Sequence, residues 1–462
     1  MASNSFDKFQ KRLVLAAYFR DLFGVQDPED VDAIRQYHES LSTTKEGFAP
    51  SGVSYLTQKL QTTQGVGISD ANLLRYDEHI REHTEAINAR RSEAITWKYF
   101  QHLAGLMTEH YLHRLQSDAE GFANDINAFA ARRNEHRTYI KFPEVEAADL
   151  NKIAFWMATG SGKTLLMHLN YYQYRHYFGD ELDHILLVTP NDGLTDQHMR
   201  KLRQSGINAV YYLDLVESNM DAASGGVKVI EISKLVEEKT DEGVRVAVDA
   251  FEGNNLVFVD EGHKGASSTA GTWRDLRAKL AEGGFTFEYS ATFGQAIGGS
   301  TPAAVEEEYG KSILFDYSYQ RFYDDGYGKD YRILNLETSA DDVLDEDDEL
   351  TDRYLLANLL TYYEQQLVFQ RDEERLREEY NLKKPLLMFI GHSVTGGRTV
   401  SDLSTNDKRS VTDIQRLVAF LQRVLTDTEW TTTAVDELLS GDTALQIDGE
   451  DLFADEFGAI RA

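Results

Sequence analysis

The sequence predicts an α/β fold, a parallel sheet flanked by helices around a P-loop, and three stretches carry that prediction. The first is a short apolar run, residues 153–157, which reads as a buried strand; it leads into Ala158-Thr159-Gly160-Ser161-Gly162-Lys163-Thr164 and then into a helical start at residues 165–169. The second is the continuous apolar run 256–259, which ends in Asp260-Glu261-Gly262-His263. The third is the β-rich run 285–289, which ends in Ser290-Ala291-Thr292. Unbroken apolar runs of this length suit parallel strands buried on both faces, and open sheets of this kind bind ligands at the strands' carboxyl ends.

Each ending has a chemistry. In the first, glycines let successive backbone N–H groups turn inward around an oxyanion, and the helix N-terminus adds partial positive charge. Lys163 is placed to reach the β- and γ-phosphates of ATP, and the Thr164 hydroxyl to ligate Mg²⁺. The pattern departs from the general P-loop at its first glycine, where Met157 stands. In the second, Asp260 is placed to hold Mg²⁺ and Glu261 to orient or deprotonate an attacking water.

Together, Ala158 to Thr164, Asp260-Glu261-Gly262-His263 and Ser290-Ala291-Thr292 resemble motifs I, II and III of superfamily 2 helicases of the DEAD/DEAH-box kind. More narrowly, they resemble the helicase (Res) subunits of type III restriction enzymes and related phage-defence motors. The resemblance runs over roughly residues 75 to 400 and is most specific in the first RecA-like lobe. It implies two such lobes closing on ATP, with Lys163, Asp260, Glu261 and His263 catalytic, and Thr159, Gly160, Ser161, Gly162, Lys163 and Thr164 on the nucleotide. It also implies that Ser290 and Thr292 couple nucleotide state to nucleic acid, with His263 as a partner.

Net charge bears on that expectation. The chain has 462 residues, 42% of them hydrophobic, and a formal charge of −30. A nucleic-acid motor needs a basic track, so such acidity calls for screening. Molar salt supplies it, with a screening length of roughly 3 Å at 1 M, which points to a halophilic host. A mesophilic protein with one local basic groove is the alternative. The chain lacks cysteine, which excludes disulfides and cysteine-based zinc sites. It carries no basic-then-apolar leader and no long apolar run, so a soluble, cytoplasmic protein without a membrane segment is expected.

In chain order, residues 6–25 have apolar positions at helical spacing. Residues 41–70, rich in Ser, Thr, Gly and Gln, read as a connection, with helix resuming near Leu73. Gln101, followed by Ala104, is similar to the adenine-reading glutamine motif of the superfamily, since an amide offers both donor and acceptor. Residues 185–188 read as a strand ending in Thr189-Pro190-Asn191; this looks like motif Ia, which grips nucleic-acid phosphates, though a strand closed by a proline turn also fits. Gln197, His198, Arg200 and Lys201 follow on a helix, as further contacts or as a solvated face. The alternating stretch 227–234 resembles the motif Ib region, with Ser233 and Lys234 toward phosphate. The aromatics Phe315, Tyr317, Tyr319, Phe322, Tyr323, Tyr327 and Tyr331 read as packing of a hairpin between lobes, with base stacking as the other reading.

The acidic run 341–349 reads as a linker and residues 353–381 as a long charged helix. Pro385 to Ser393 looks like the first strand of a second RecA-like lobe, and 411–427 like its helix. No arginine after Ser393 (Arg398, Arg409, Arg416, Arg423, Arg461) has the neighbours of motif VI, and motifs V and VI are missing. The expected organisation is therefore a helical N-terminal region (1–140), a first RecA-like lobe (141–335), a linker and helix (336–383) and an incomplete second lobe (384–462). A truncated or split gene, a second polypeptide that supplies motifs V and VI, or a degenerate binding protein would each explain the gap. The expected partners are ATP, Mg²⁺ and double-stranded DNA, together with methyltransferase or nuclease subunits. An ATP-responsive nucleic-acid-binding module or an RNA helicase fragment is the alternative.

Overall fold

The computed structural model describes residues 8–212, 214, 226–236, 246–261, 271–293, 303–328, 348–379, 382–389, 413–441, 446–447, 450–451, 453 and 456–461. Gly262, His263, Tyr331, Arg398, Arg409, residues 341–347 of the acidic run and residues 390–393 lie outside that set. The chain divides into two compact units, residues 1–329 and 330–462.

In the first unit the apolar runs become strands: β1 (Lys152–Met157), β2 (His184–Thr189), β3 (Ala209–Tyr211), β4 (Val227–Glu231), β5 (Leu235–Val236), β6 (Val246–Ala247), β7 (Asn255–Asp260), β8 (Phe285–Ser290) and β9 (Ile313–Tyr317). β5 pairs only with β6, and the other seven form one sheet in the order β3-β4-β2-β7-β8-β1-β9. Every pairing in that sheet is parallel. The predicted α/β, RecA-like P-loop fold is therefore observed. Because the strands are parallel, all their carboxyl ends emerge on one edge. β8 lies between the strand feeding the phosphate loop and the strand ending in Asp260. Stacked rings on neighbouring strands, Phe155 with Tyr289 at 5.3 Å and Phe258 with Phe287 at 5.3 Å, fix this register from within.

Helices Val14–Leu22, Val31–Ser42, Tyr55–Gln61, Asp70–Asn88 and Tyr99–Asn134 precede the sheet. Their buried side chains share one core with it, from Phe19 and Tyr111 through to Phe155 and Phe287. Asp30, Ser54 and Ser69 cap three of these helices through side-chain oxygens. Helix Tyr55–Gln61 falls inside the stretch read as a connection, so that reading is corrected. Its signal was the Ser54 cap with Leu56 and Leu60 one turn apart. Helix Tyr99–Asn134 is interrupted at Asp118, whose carboxylate accepts the Gly121 N–H and restarts it. Helices Asp192–Gln204, Gly271–Leu280 and Ala303–Ser312 also belong to this unit.

The aromatic stretch after residue 312 is a parallel edge strand, β9, followed by the short helix Tyr319–Asp324, and not a hairpin. Phe315 and Tyr317 are core, whereas Tyr319 and Tyr323 are exposed.

The second unit is helical in its described residues: Asp348–Arg371, Glu373–Glu378, Asp413–Thr426, Thr428–Ser440 and Gly458–Arg461, with a two-residue antiparallel pair at Gln446–Ile447 and Glu450–Asp451. Its core is Leu356, Ala357, Phe420, Ala434, Leu438, Phe453 and Phe457. The strand expected from Pro385 does not form over residues 385–389, which pair with nothing in a sheet and leave Leu386 and Met388 exposed.

Candidate functional site

The phosphate loop leaves the carboxyl end of β1 and closes on helix Lys163–Phe178. Gly160 and Gly162 adopt φ of +87° and +90°, the left-handed region that side chains resist, so both glycines are required by the turn. Ser161 is buried and its hydroxyl donates to the Ala158 carbonyl at 2.7 Å, which ties the loop across its base. Thr159 and Gly160 are exposed at its crest, and Gly162, Lys163 and Thr164 are half-buried. The Lys163 ammonium lies over the Met157 and Ala158 carbonyls at 3.2 and 3.4 Å.

Asp260 ends β7. Burial pushes its carboxyl up, but the His198 ring, the Lys163 ammonium and the Glu261 N–H outweigh that and hold it below the usual carboxylate range. Burial in turn lowers Lys163, against the opposing fields of Glu261 and Asp260. The fold thus brings the two motifs into one electrostatic neighbourhood. Glu261 sits at φ +55°, an uncommon backbone conformation for a residue with a long side chain. Ser290 ends β8 and Thr292 lies just past it, between the two motifs, where the Ser290 hydroxyl accepts the Thr292 N–H at 3.0 Å. His263 cannot be placed among the described residues.

A phosphate and a hard cation fit this donor set. The start of helix Lys163–Phe178 offers N–H groups without partners inside the helix and Lys163 an ammonium, and Thr164 with Asp260 offers oxygen ligands. Among the described residues no cluster of three or more His, Asp or Glu side chains forms a metal cage.

Gln101 reaches this loop differently from the expectation of an adenine reader. It is buried; its Nε2–H donates to the Ser161 carbonyl at 2.7 Å, and its Oε1 accepts the Lys98 N–H at 3.0 Å. Both ends of the amide are therefore engaged within the protein. The neighbouring His102 donates to Asp77, which also accepts Ser54 N–H and the Thr57 hydroxyl, so a buried polar knot anchors the helix turn that carries Gln101.

The residues expected at nucleic acid divide in two. Thr189 is buried, with its hydroxyl 2.6 Å from that of Thr195, so it ties β2 to the following helix. Asn191 is exposed and caps that helix, Pro190 and Lys234 are half-buried, and exposed Ser233 donates to Glu231. His198, read as a further polar contact or part of a solvated face, is not solvated: it is 2% exposed and its Nε2 lies 2.8 Å from Asp260 Oδ2. Its signal was the stripe Thr195, His198, Met199 and Leu202, the buried face of helix Asp192–Gln204.

Residues 118–295 match the family described as "Type III restriction enzyme, res subunit". That span contains β1 through β8 and all three motifs; Gln101 falls before it. The similarity supports a helicase-like, nucleotide-dependent motor. No curated protein matches the chain, and no helix among the described residues is long and apolar enough to cross a membrane.

Proposed function

We propose that the chain is an ATP-dependent DNA helicase or translocase motor of a restriction or phage-defence system. The observation that carries this is the shared electrostatic neighbourhood of Lys163, Asp260 and Glu261 at one edge of a parallel sheet. In this reading the loop N–H groups and Lys163 bind the β- and γ-phosphates of ATP. Thr164 and Asp260 hold Mg²⁺, which neutralises charge developing on the phosphates. Glu261 orients a water in line with the γ-phosphate and takes its proton, while the bond to the ADP oxygen breaks. Ser290 and Thr292, with His263, pass nucleotide state toward duplex DNA, which meets Pro190, Asn191, Ser233 and Lys234 on the same edge. Methyltransferase or nuclease subunits accompany the motor in the cytoplasm of a salt-loving host.

A second reading is nucleotide binding without productive turnover, and among the described residues of the second unit one arginine bears on it. Arg423 is held by Asp352 and Glu349, each at 2.7 Å, and stacks 4.0 Å over Trp430, which is a structural employment. An arginine finger contributes roughly 10³ to 10⁵ in rate in related enzymes. The test is ATP hydrolysis by the full chain in high-KCl buffer, with and without double-stranded DNA, beside Lys163→Ala and Glu261→Gln. DNA-stimulated turnover lost in both variants supports the motor. Tight ATP binding without turnover selects the second reading, and full activity in Lys163→Ala removes both.

A further inference from the structure

The side chains around Asp260 include one that no motif predicts. His198 is carried on the second turn of the helix after β2, far from the motif II box in sequence, yet its Nε2 meets Asp260 Oδ2 at 2.8 Å. The other carboxylate oxygen, Oδ1, accepts the Glu261 N–H at 3.1 Å. Each oxygen therefore has a fixed partner on one side, which sets the plane of the carboxylate. The remaining lone pairs are left for a cation or its waters. Among the described residues, His198 Nδ1 is buried and has no hydrogen-bond partner. A buried N–H without an acceptor is costlier than an unpaired ring nitrogen, so the proton belongs on Nε2, where it donates to Asp260.

The imidazole is itself held. It shares its helix face with Thr195, Met199 and Leu202, all buried, so it cannot swing out to water without unpacking that face. Close by, from the helix that begins at Lys163, His168 is fully buried, with Nδ1 2.7 Å from the Ser205 hydroxyl, which also accepts from Arg91 at 2.7 Å. The donor to Asp260 thus lies within electrostatic reach of an interior polar group. A surface histidine would have no such support.

We infer that His198 is a positioning residue for the nucleotide-bound Mg²⁺: by donating from Nε2 it orients the Asp260 carboxylate toward the cation. This rests on the reading of Asp260 as a ligand of ATP-bound Mg²⁺. Groups that orient metal ligands from outside typically change metal affinity or activity 10- to 100-fold when removed. Glutamine can place an amide N–H near the position of imidazole Nε2, whereas asparagine is too short and leucine has no donor.

The test uses the full chain with Mn²⁺ as the probe, its binding followed by electron paramagnetic resonance in the presence of a non-hydrolysable ATP analogue. Wild type, His198→Gln, His198→Asn, His198→Leu and Asp260→Asn are compared, each checked by its melting transition. The expected result is Mn²⁺ affinity weakened roughly 10- to 100-fold in His198→Asn and His198→Leu. His198→Gln is expected within a few-fold of wild type, with analogue affinity at saturating metal little changed throughout. If His198→Leu does not fold, the Gln and Asn pair decides the matter, since both are polar and differ in reach. Wild-type Mn²⁺ affinity in His198→Asn, or a Gln variant no better than the Asn variant, overturns the inference. Asp260→Asn binding Mn²⁺ like wild type overturns the reading of Asp260 as well, which separates that failure from a failure of His198 alone.

Discussion

The phosphate loop and the Asp260 carboxylate emerge from the same edge of one sheet, but the protein secures them in opposite ways. The loop is supported through its backbone: Gln101 grips the Ser161 carbonyl from a helix that precedes the sheet, close enough that a Cβ on Gly162 would lie 2.3 Å from Gln101 Nε2. Asp260 is supported through its side chain, by one imidazole from the helix after β2. A backbone brace fixes a shape and holds whatever the side chain at Thr159. A side-chain brace fixes a charge, and fails when a single donor is lost. Damage on the loop side should therefore appear in nucleotide affinity, and damage on the carboxylate side in metal requirement.

The largest effect expected is from Gly162→Ala, which meets both the Gln101 amide and a left-handed backbone. The backbone alone costs about 1–2 kcal/mol, and ATP affinity should fall more than roughly tenfold, since 1.4 kcal/mol is a factor of ten. Adding Gln101→Ala should recover only the steric part. Full recovery, measured by fluorescent-nucleotide titration, would mean that the φ of Gly162 is not what matters.

Gln101→Glu comes next. A carboxylate cannot donate to the Ser161 carbonyl, so it should be worse than Gln101→Ala, which leaves that carbonyl unpaired at a cost of about 1–3 kcal/mol. Both variants should raise the ATP concentration needed for half-saturation while leaving the Mg²⁺ requirement near wild type. A shifted Mg²⁺ requirement would erase the distinction between the two braces.

Acid should separate the sides more gently. Burial lowers His168, on the helix that follows the loop, from 6.5 to about 3, and does the same to His83 and His110. These rings must stay neutral in the folded protein and take up protons when unfolded. Their contribution is complete above pH 6.5 and is lost as pH falls toward 3, by about 2 kcal/mol each at pH 5. Asp260, whose carboxyl is depressed, keeps its contribution until pH drops below the ordinary carboxylate range. Melting temperature should therefore decline between pH 7 and 5, and a folded His168→Gln variant should decline less steeply.

The smallest effect is expected in the second unit. Arg423→Ala removes a partly exposed pair with Glu349 and Asp352, worth about 1 kcal/mol or less. Nucleotide binding should not change, and a measurable loss of ATP affinity would give that arginine a role at the site.

The same contrast explains what could be read in the sequence. The positions of Asp260 and Glu261 could be read because an apolar run dictates where they emerge, and that of Lys163 because a glycine turn follows such a run and opens a helix. Gln101 and His198 were harder, since their roles depend on which helix face meets which strand end. Gln101 was read as meeting a base, and the structure shows its amide on the loop. His198 lay on a visible stripe with Thr195, Met199 and Leu202, but a stripe says only that a face is buried, not that its histidine finds a carboxylate. Thr189 was read as a motif Ia residue toward phosphate, and its hydroxyl meets that of Thr195, a partner that strand composition does not reveal. Residues 385–389 have strand-like composition, yet a strand needs a neighbour, and composition cannot supply one.

Glu261 carries a last consequence from its φ of +55°. Left-handed backbone is where glycine and asparagine are at home, and another residue gives up about 1 kcal/mol or more to stand there. Heat resistance and turnover therefore pull this position toward different letters. In a library randomised at residue 261, survival of heating alone should enrich glycine and asparagine. Survival by ATP-driven work should return glutamate, and sequencing the two pools would show the conflict at a single codon.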